Sequence, residues 1–491
     1  MSGERPDPEA ERQRLQALLE QGRAEEIVRE ARRRLSVEPA DAGWWWWLGR
    51  ALEAGGRPAA ARAAFGRAAF LDPRLPEGEA AAGPTPAWLE QLLAVPPHTV
   101  SACLIVRDEA EHIGRVLASL AGAVDEVVVA DTGSRDDTPR LAARAGARVF
   151  HVPWQDDFSA ARNAALERAG SEWVLWLDAD ETLDPRDRAG PRLAAGLFHE
   201  RRPPAVVQVT VVNDLGSGPP EVHHDVARLF PLGRGLRFFG RAHEQVGPDP
   251  GGPLVGPVLR PAVRIRLHHD GYRPDVLQHR RKLERNIRLL ELAVAEDPDD
   301  LLAWAFLGRE RLLHGQPQAA VEALTRAEAL AERTPAYGRL PELRTYLLSA
   351  LLALGRREEA VEVGRRAVAA HPEYPPLWFG YGQALFLQAL ALAGAAGAAY
   401  REAVERSRRY QGLLPADPAL GGWKGLLALG DVAKLQGDWT TAYTYYRQAA
   451  AEQPDAPGIA ASLTHQRQQV EQLARLLAAE AAGDTPPADG A

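Results

Sequence analysis

Residues 173–181 read WVLWLDADE: five apolar side chains from Trp173 to Leu177, then Asp178-Ala179-Asp180-Glu181. Five apolar residues in a row are too few for a helix and suit a strand buried on both faces. Alternation past the end of such a strand would point Asp178 and Asp180 the same way. Two such oxygen donors suit a hard divalent cation that also grips a diphosphate. An isolated Asp-x-Asp is usually a solvated turn, so the surroundings decide. Upstream, Thr99–Val106 (TVSACLIV) is a second apolar run, ending in Arg107-Asp108-Glu109 and passing into a helix with Ile113, Val116, Leu117 and Leu120. Glu126–Ala130 is a third run, ending in Asp131-Thr132-Gly133-Ser134, and Ala147–Val152 a fourth. Ser159 then opens a helix carrying Arg162 and Asn163. Strands alternating with helices predict βαβ units, and open parallel sheets hold ligands at the carboxyl ends of their strands. Arg107, Glu109, Asp131, Asp178 and Asp180 are thereby expected on one edge, around a nucleotide-sized pocket.

On both sides of this α/β region the chain repeats itself. A tetratricopeptide unit places a large apolar residue, Leu-Gly, a further apolar, Ala, an aromatic, Ala and Pro at set offsets over about 34 residues. Trp45, Leu48, Gly49, Leu52, Ala61, Phe65, Ala68 and Pro73 meet all of them. Trp304, Leu307, Gly308, Ala320, Leu324 and Ala327 meet most, as do Leu429, Gly430, Ala442, Tyr446, Ala449 and Pro454; Leu347, Leu351, Ala360, Ala367 and Pro372 form a weaker copy. Trp45 occupies a repeat-core position, which favours packing or inter-domain contact over ligand stacking for the run Trp44–Trp47. Too short to be stable alone, the N-terminal repeat is expected to lean on the α/β domain or the C-terminal stack, with some of Trp44, Trp46 and Trp47 at the junction.

The domain boundaries expected are 1–80 for N-terminal helical repeats, 81–98 for a Pro-rich linker, 99–275 for the α/β domain, 276–475 for C-terminal repeats and 476–491 for a disordered tail. Of the 491 residues, 46% are hydrophobic and 25% charged, ordinary values for a globular chain. A formal charge of −8 argues against a nucleic-acid or anionic-membrane surface. Cys103 is the only cysteine, which excludes an intrachain disulfide and a cysteine-based zinc site. The N-terminal MSGERPDPEAERQR lacks the apolar core of a signal peptide, so a cytoplasmic protein is expected. Tyr374–Tyr400 carries no charge, but Pro375, Pro376, Gln383 and Gln388 interrupt it; a buried repeat helix rather than a membrane span is expected.

The ordered motifs SACLIVRDEAEHI, VDEVVVADTGSRDDT and VFHVPWQDDFSAARNAALERAGSEWVLWLDADE resemble family-2 glycosyltransferases of GT-A fold, in the bacterial branch fused to tetratricopeptide repeats. The resemblance is close over about residues 100–182 and looser over 220–290. It implies inverting transfer of a hexosyl or N-acetylhexosaminyl group from a nucleoside-diphosphate sugar, expected to be a uridine diphosphate donor, with Mn²⁺ or Mg²⁺. By resemblance, Arg107, its neighbour Glu109 and Asp131 contact base and ribose, Arg162 touches the base or holds Asp131, Asp178 takes the ribose side, and Asp180 binds the metal. The family more often has Lys-Asn-Glu where this chain has Arg107-Asp108-Glu109.

Arg228-Leu229-Phe230, Gly240-Arg241-Ala242-His243-Glu244 and His268-His269-Asp270-Gly271-Tyr272 are similar to further motifs of the branch. An inverting transfer needs one carboxylate to accept the acceptor's proton. Glu244 is the first candidate and Asp225 the second; Glu244 could instead simply pair with a nearby arginine. His269 would join Asp180 at the metal, an arrangement better suited to Mn²⁺ than Mg²⁺, or would serve as a hydrogen-bonding residue. No His-Glu-x-x-His spacing supports a zinc hydrolase, and no Gly-rich basic loop after the first strand supports a nucleotidyltransferase. The remaining competitor is a catalytically silent repeat adaptor that binds a protein partner. The acceptor class stays open among peptide, polysaccharide and glycolipid. The repeats are expected to recruit it, or a protein partner, or to form a homodimer. Deletion beyond about residue 300 is expected to spare donor hydrolysis while impairing transfer.

Overall fold

A computed structural model of the chain describes residues 8–76, 83–214, 219–269, 276–411, 416–456 and 458–481. Asp270, Gly271 and Tyr272, part of the expected linker and residues 482–491 of the expected tail lie outside the described residues. The chain divides into two compact units, Met1–Gly338 and Arg339–Ala491.

Within the first unit, ten strands are described: β1 Val100–Val106, β2 Glu126–Asp131, β3 Arg148–His151, β4 Trp173–Trp176, β5 Glu181–Leu183, β6 Val207–Asn213, β7 Glu221–Pro231, β8 Leu236–Phe239, β9 Gln245–Pro248 and β10 Ala262–His269. Eight of them form one sheet in the order β3-β2-β1-β4-β7-β6-β10-β5, and β8 pairs with β9 in a small ribbon. The half β3-β2-β1-β4 is wholly parallel, and β6 with β10 is parallel too. Antiparallel pairs join β4 to β7, β7 to β6 and β10 to β5. Both faces of β1 are covered: Ala102 and Leu104 enter one apolar layer with Ile113, Val116 and Leu175, while Cys103 joins Val128, Ala130, Val174 and Trp176 in the other. Burying each such Val or Leu contributes roughly 1.5–3 kcal/mol, which is why these strands read as unbroken apolar runs.

Helices Ile113–Ser119, Thr138–Arg144, Phe158–Leu166 and Gly190–Phe198 connect and flank the strands, whereas the helices before and after the α/β region form hairpins. Helices Ala42–Ala54 and Pro58–Leu71 close on each other because Gly49 lacks a side chain; a Cβ there would lie 2.5 Å from the Phe65 ring. In helices Leu301–Leu313 and Pro317–Ala331, Gly308 sits directly against Leu324 in the same way. The Trp45 indole N–H donates to the Pro39 carbonyl (2.8 Å) and the Trp304 indole to Pro298 (3.0 Å), tying each first helix to the turn before it. The N-terminal repeat does lean on the sheet, but not through the tryptophans. Trp44 and Trp45 are buried within the helical cluster, and Trp46 and Trp47 pack against that same cluster. Phe70, Leu71, Ala40 and Val95 make the apolar junction, backed by the Arg201–Glu38 pair and by Arg264 donating to the Pro73 carbonyl at 2.9 Å. Tryptophans adjacent on one helix point around its circumference, so the hairpin's own core claims them first. Nor is the predicted linker bare, since Ala87–Leu93 is a short helix whose Leu89 is buried among the N-terminal helices.

The second unit comprises helices Leu340–Ala353, Arg357–Ala370, Pro375–Arg409, Trp423–Leu435, Trp439–Glu452 and Ile459–Ala481. Among the described residues only Pro375–Arg409 is long and apolar enough to cross a membrane. The expectation that this stretch is buried is not met: Trp378, Phe379, Phe386 and Leu392 are 50%, 71%, 63% and 63% exposed. Its 35 residues run on without the turn a repeat would place after its first half, and helix Trp423–Leu435 meets only the later part, with Val432 against Gly397.

Candidate active site

The carboxyl ends of β1, β2 and β4 open on the same edge, as parallel pairing requires. Val106 stands level with Asp131, and Cys103 with Trp176. The Asp131 carboxylate is mostly buried and accepts from the Ser134 N–H (3.1 Å) and Gly133 N–H (3.3 Å), with His151 Nδ1 3.4 Å away. Gly133 takes φ +106°, which a side chain would resist, and so lets the turn wrap this carboxylate. The loops after β1 and β2 are stitched together: Asp108 accepts from the Arg135 N–H (2.6 Å), and the Glu109 N–H donates to Thr138 Oγ1 (2.7 Å). Arg107 is exposed at the end of β1. The Glu109 carboxyl is pushed up to about 7, first by burial and then by the charge of Asp180.

Asp178 and Asp180 do not lie on an alternating strand. β4 ends at Trp176, and both residues occupy the turn before β5. They consequently face different partners. Asp178 accepts from Arg162 (Nη2, 3.2 Å) and from Arg228 (2.6 Å). Burial opposes its ionisation, yet the two guanidiniums hold it well below the usual carboxylate range. Asp180 meets His269, whose Nε2 lies 3.0 Å from Oδ2, while His269 Nδ1 faces Asn213 Oδ1 at 3.0 Å. That contact outweighs burial and keeps the Asp180 carboxyl low; reciprocally, Asp180 raises the imidazole.

Arg162 is the hub. Asp157 caps its helix by accepting the Ala160 N–H at 3.0 Å, and Asn163 beside it exchanges two 2.9 Å hydrogen bonds with the Phe238 backbone. The Arg162 guanidinium lies over the rings of Trp176 (4.6 Å) and Phe238 (5.1 Å) and pairs with both Asp178 and Glu244. The sequence-predicted base therefore does stand in the cluster, at the end of the loop between β8 and β9, with its charge held by an arginine. Asp225, the second candidate, is exposed on β7 three residues before Arg228.

Several residues of the site carry no assignment from the sequence. Arg228 is the extra residue of a β-bulge: neighbours Val207 and Gln208 on β6 face Leu229 and Ala227. A bulge re-aims a side chain, and here it turns Arg228 onto Asp178 and onto buried Glu181 (2.6 Å), whose Oε2 also accepts the Asp178 N–H at 2.9 Å. Asn213 orients His269, and the Lys282 ammonium on helix Val276–Glu296 favours ionisation of both Asp180 and Glu109. The loop bearing Glu244 is held from the repeats: His243, at φ 53°, lies 3.1 Å from buried Glu310 and stacks on Phe306 at 4.7 Å, while Ala242 packs with Ile287, Leu290 and Leu307.

A cluster capable of coordinating a divalent ion also exists at the other ends of the strands, where His98, Glu172 and His199 bring ligand atoms within 4.8 Å of one another. The two imidazoles stack at 3.8 Å and 11°, and His199 is flanked by the Trp173 indole (3.1 Å) and Arg234 (3.2 Å). One ring would have to tilt before both could share an ion in plane.

Residues 101–242 match the model of glycosyl transferase family 2, and residues 10–76 and 341–384 match models of the tetratricopeptide repeat. A "TPR repeat-containing protein" of Synechococcus elongatus is 37% identical over 265 residues, covering 53% of this chain and 62% of that protein. The SPbeta prophage-derived glycosyltransferase SunS of Bacillus subtilis is 26% identical over 234 residues, 47% of this chain and 53% of SunS. A crystal structure of S. aureus TarS 1-349 in complex with UDP-GlcNAc superposes with a TM-score of only 0.33 at 13% identity, covering 56% of this chain and 93% of that one. The chain thus spans 62% and 53% of the length of these two curated relatives. The α/β region between the helical hairpins is a glycosyl transferase family 2 domain, set in this chain between tetratricopeptide repeats.

Proposed function

We propose that this chain is an inverting, metal-assisted glycosyltransferase that uses a nucleoside-diphosphate sugar, with uridine diphosphate the expected carrier. The observation carrying this reading is the adjacency, at one sheet edge, of an Asp178–Arg162–Glu244 cluster and an Asp180–His269 pair. A carboxylate beside an imidazole already oriented by Asn213 fits a divalent cation, Mn²⁺ more than Mg²⁺. Asp180 and His269 would hold it, and it would supply positive charge to the departing diphosphate. Asp131, Arg107 and Glu109 line the base and ribose side, and Asp178, fixed by two arginines, meets the ribose. Glu244 takes the proton of the acceptor as its nucleophilic atom bonds to the sugar's anomeric carbon and the bond to the diphosphate breaks. A silent adaptor would need none of these buried, mutually paired charges. Incubating the protein with a panel of nucleotide sugars and Mn²⁺ tests the reading. One donor should release nucleoside diphosphate, and EDTA should stop it; no release from any donor sinks the proposal.

The separable boundary is better set beyond residue 338 than at 300. A cut at 300 would remove Phe306 and Glu310 from under His243 and so disturb Glu244. Deletion of 339–491 leaves the first unit whole, and is expected to spare donor hydrolysis within about threefold while lowering transfer to the natural acceptor tenfold or more, about 1.4 kcal/mol. Equal loss of both activities would show that the second unit does not recruit the acceptor.

A further inference from the structure

Three of the tetratricopeptide hairpins in this chain share one device. A glycine of the first helix receives a large side chain sixteen residues on: Phe65 against Gly49, Leu324 against Gly308, and Tyr446 against Gly430, where a Cβ would lie 2.5 Å from the Tyr446 ring. Helix Pro375–Arg409 begins as another such first helix. Trp378, Tyr381, Gly382 and Leu385 have the spacing of Trp45, Leu48, Gly49 and Leu52, and the Trp378 indole donates to the Pro372 carbonyl at 2.9 Å, as Trp45 does to Pro39. The repeat-model match ends inside it, at residue 384. Over this first half no second helix returns: a Cβ on Gly382 would meet nothing within 4 Å, and Leu385 is 43% exposed, whereas helix Trp423–Leu435 meets the later part, with Val432 against Gly397. One half of a hairpin therefore presents its receiving face to solvent.

The pattern on that face identifies its occupant. Large Trp378, Leu385 and Leu392 alternate with small Gly382, Ala389 and Ala396 in a heptad rhythm. They are arranged symmetrically about residue 387, so that 378 mirrors 396, 385 mirrors 389, and 392 mirrors 382. Two copies of this helix laid antiparallel across a two-fold axis place every large side chain opposite a small one, over about 27 Å at 1.5 Å per residue. Leu392 of the second copy then fills the hollow at Gly382, as Phe65 does at Gly49. We propose that a second copy of this chain completes the open hairpin, making the protein a homodimer through residues 378–396. An apolar face suited merely to lipid would need no such mirrored alternation.

The test uses the full chain in sedimentation velocity across a concentration series, with circular dichroism to confirm folding of each variant. A reversible dimer is expected, and Leu385→Glu should raise its Kd at least about thirtyfold, the effect of losing a central anchor. Leu385→Ala should weaken the dimer, and adding Ala389→Leu should restore it to within a few-fold, because the exchange swaps large and small in both copies at once. Any other occupant would gain nothing from the swap. Cys103 is buried, so an engineered cysteine is the only reactive thiol. Phe386→Cys, offset about 3 Å along the axis from its mate, should cross-link with a short bismaleimide, whereas Phe379→Cys, offset about 24 Å, should not. A monomer at all concentrations overturns the proposal, as does a double swap no better than the single variant. So does a monomer that floats with phosphatidylglycerol vesicles through this helix.

Discussion

Asp180→Ala is expected to lower metal-dependent donor turnover by about three powers of ten, while the protein stays folded. In the proposed reading Asp180 is one of two groups that would hold a divalent ion, and the other, His269, keeps its position through Asn213. Removing the carboxylate leaves a single neutral nitrogen, which holds Mn²⁺ poorly. Several kcal/mol of charge stabilisation at the diphosphate go with the ion, and each 1.36 kcal/mol is a factor of ten. Mn²⁺ binding followed by electron paramagnetic resonance gives a readout separate from activity, and the affinity should fall in parallel. A variant that keeps near-normal turnover with Mn²⁺ present would show that Asp180 is no metal ligand. In that event the His98, Glu172 and His199 cluster would be next to mutate.

Glu244→Gln should reduce sugar transfer by about two to four powers of ten, the usual worth of a positioned general base. The amide keeps the shape of the side chain but cannot take a proton. Donor affinity, measured by calorimetry with the nucleoside diphosphate, should remain within a few-fold, because Arg162 retains Asp178 as its partner. The pairing of Arg162 with Glu244 sharpens this measurement. Were the carboxylate present only to neutralise Arg162, the free guanidinium would pull on Asp178, and donor binding would collapse together with transfer. That result would return the base to an exposed carboxylate such as Asp225.

What could be read from the sequence was local, and what could not was long-range. The polar strand ends of β1, β2 and β4 are legible because each follows its own apolar run, and parallel pairing then brings them together. The Gly308–Leu324 and Gly49–Phe65 contacts are legible because a repeat has fixed offsets. The clamp of Arg228 on Asp178 and Glu181 depends on one extra residue in β7. No local pattern marks such a bulge. The divergence of Asp178 and Asp180 depends on where β4 ends, one residue before the apolar run does. For Tyr374–Tyr400, composition shows that the stretch is apolar but not what covers it. Burial is decided by whether a second helix returns, and over Trp378, Gly382 and Leu385 none does.

The hold of helix Leu301–Leu313 on His243 bears on how such a chain can diversify. Glu310 and Phe306 reach from a repeat into the loop that carries Glu244. Exchanging this repeat for one from a relative would break the loop unless both partners changed together. The first C-terminal hairpin is thus inherited with the chemistry. If the proposed division of labour holds, acceptor preference is best altered by exchanging residues 339–491, the other compact unit, which leaves Phe306, Glu310 and the loop of Glu244 together.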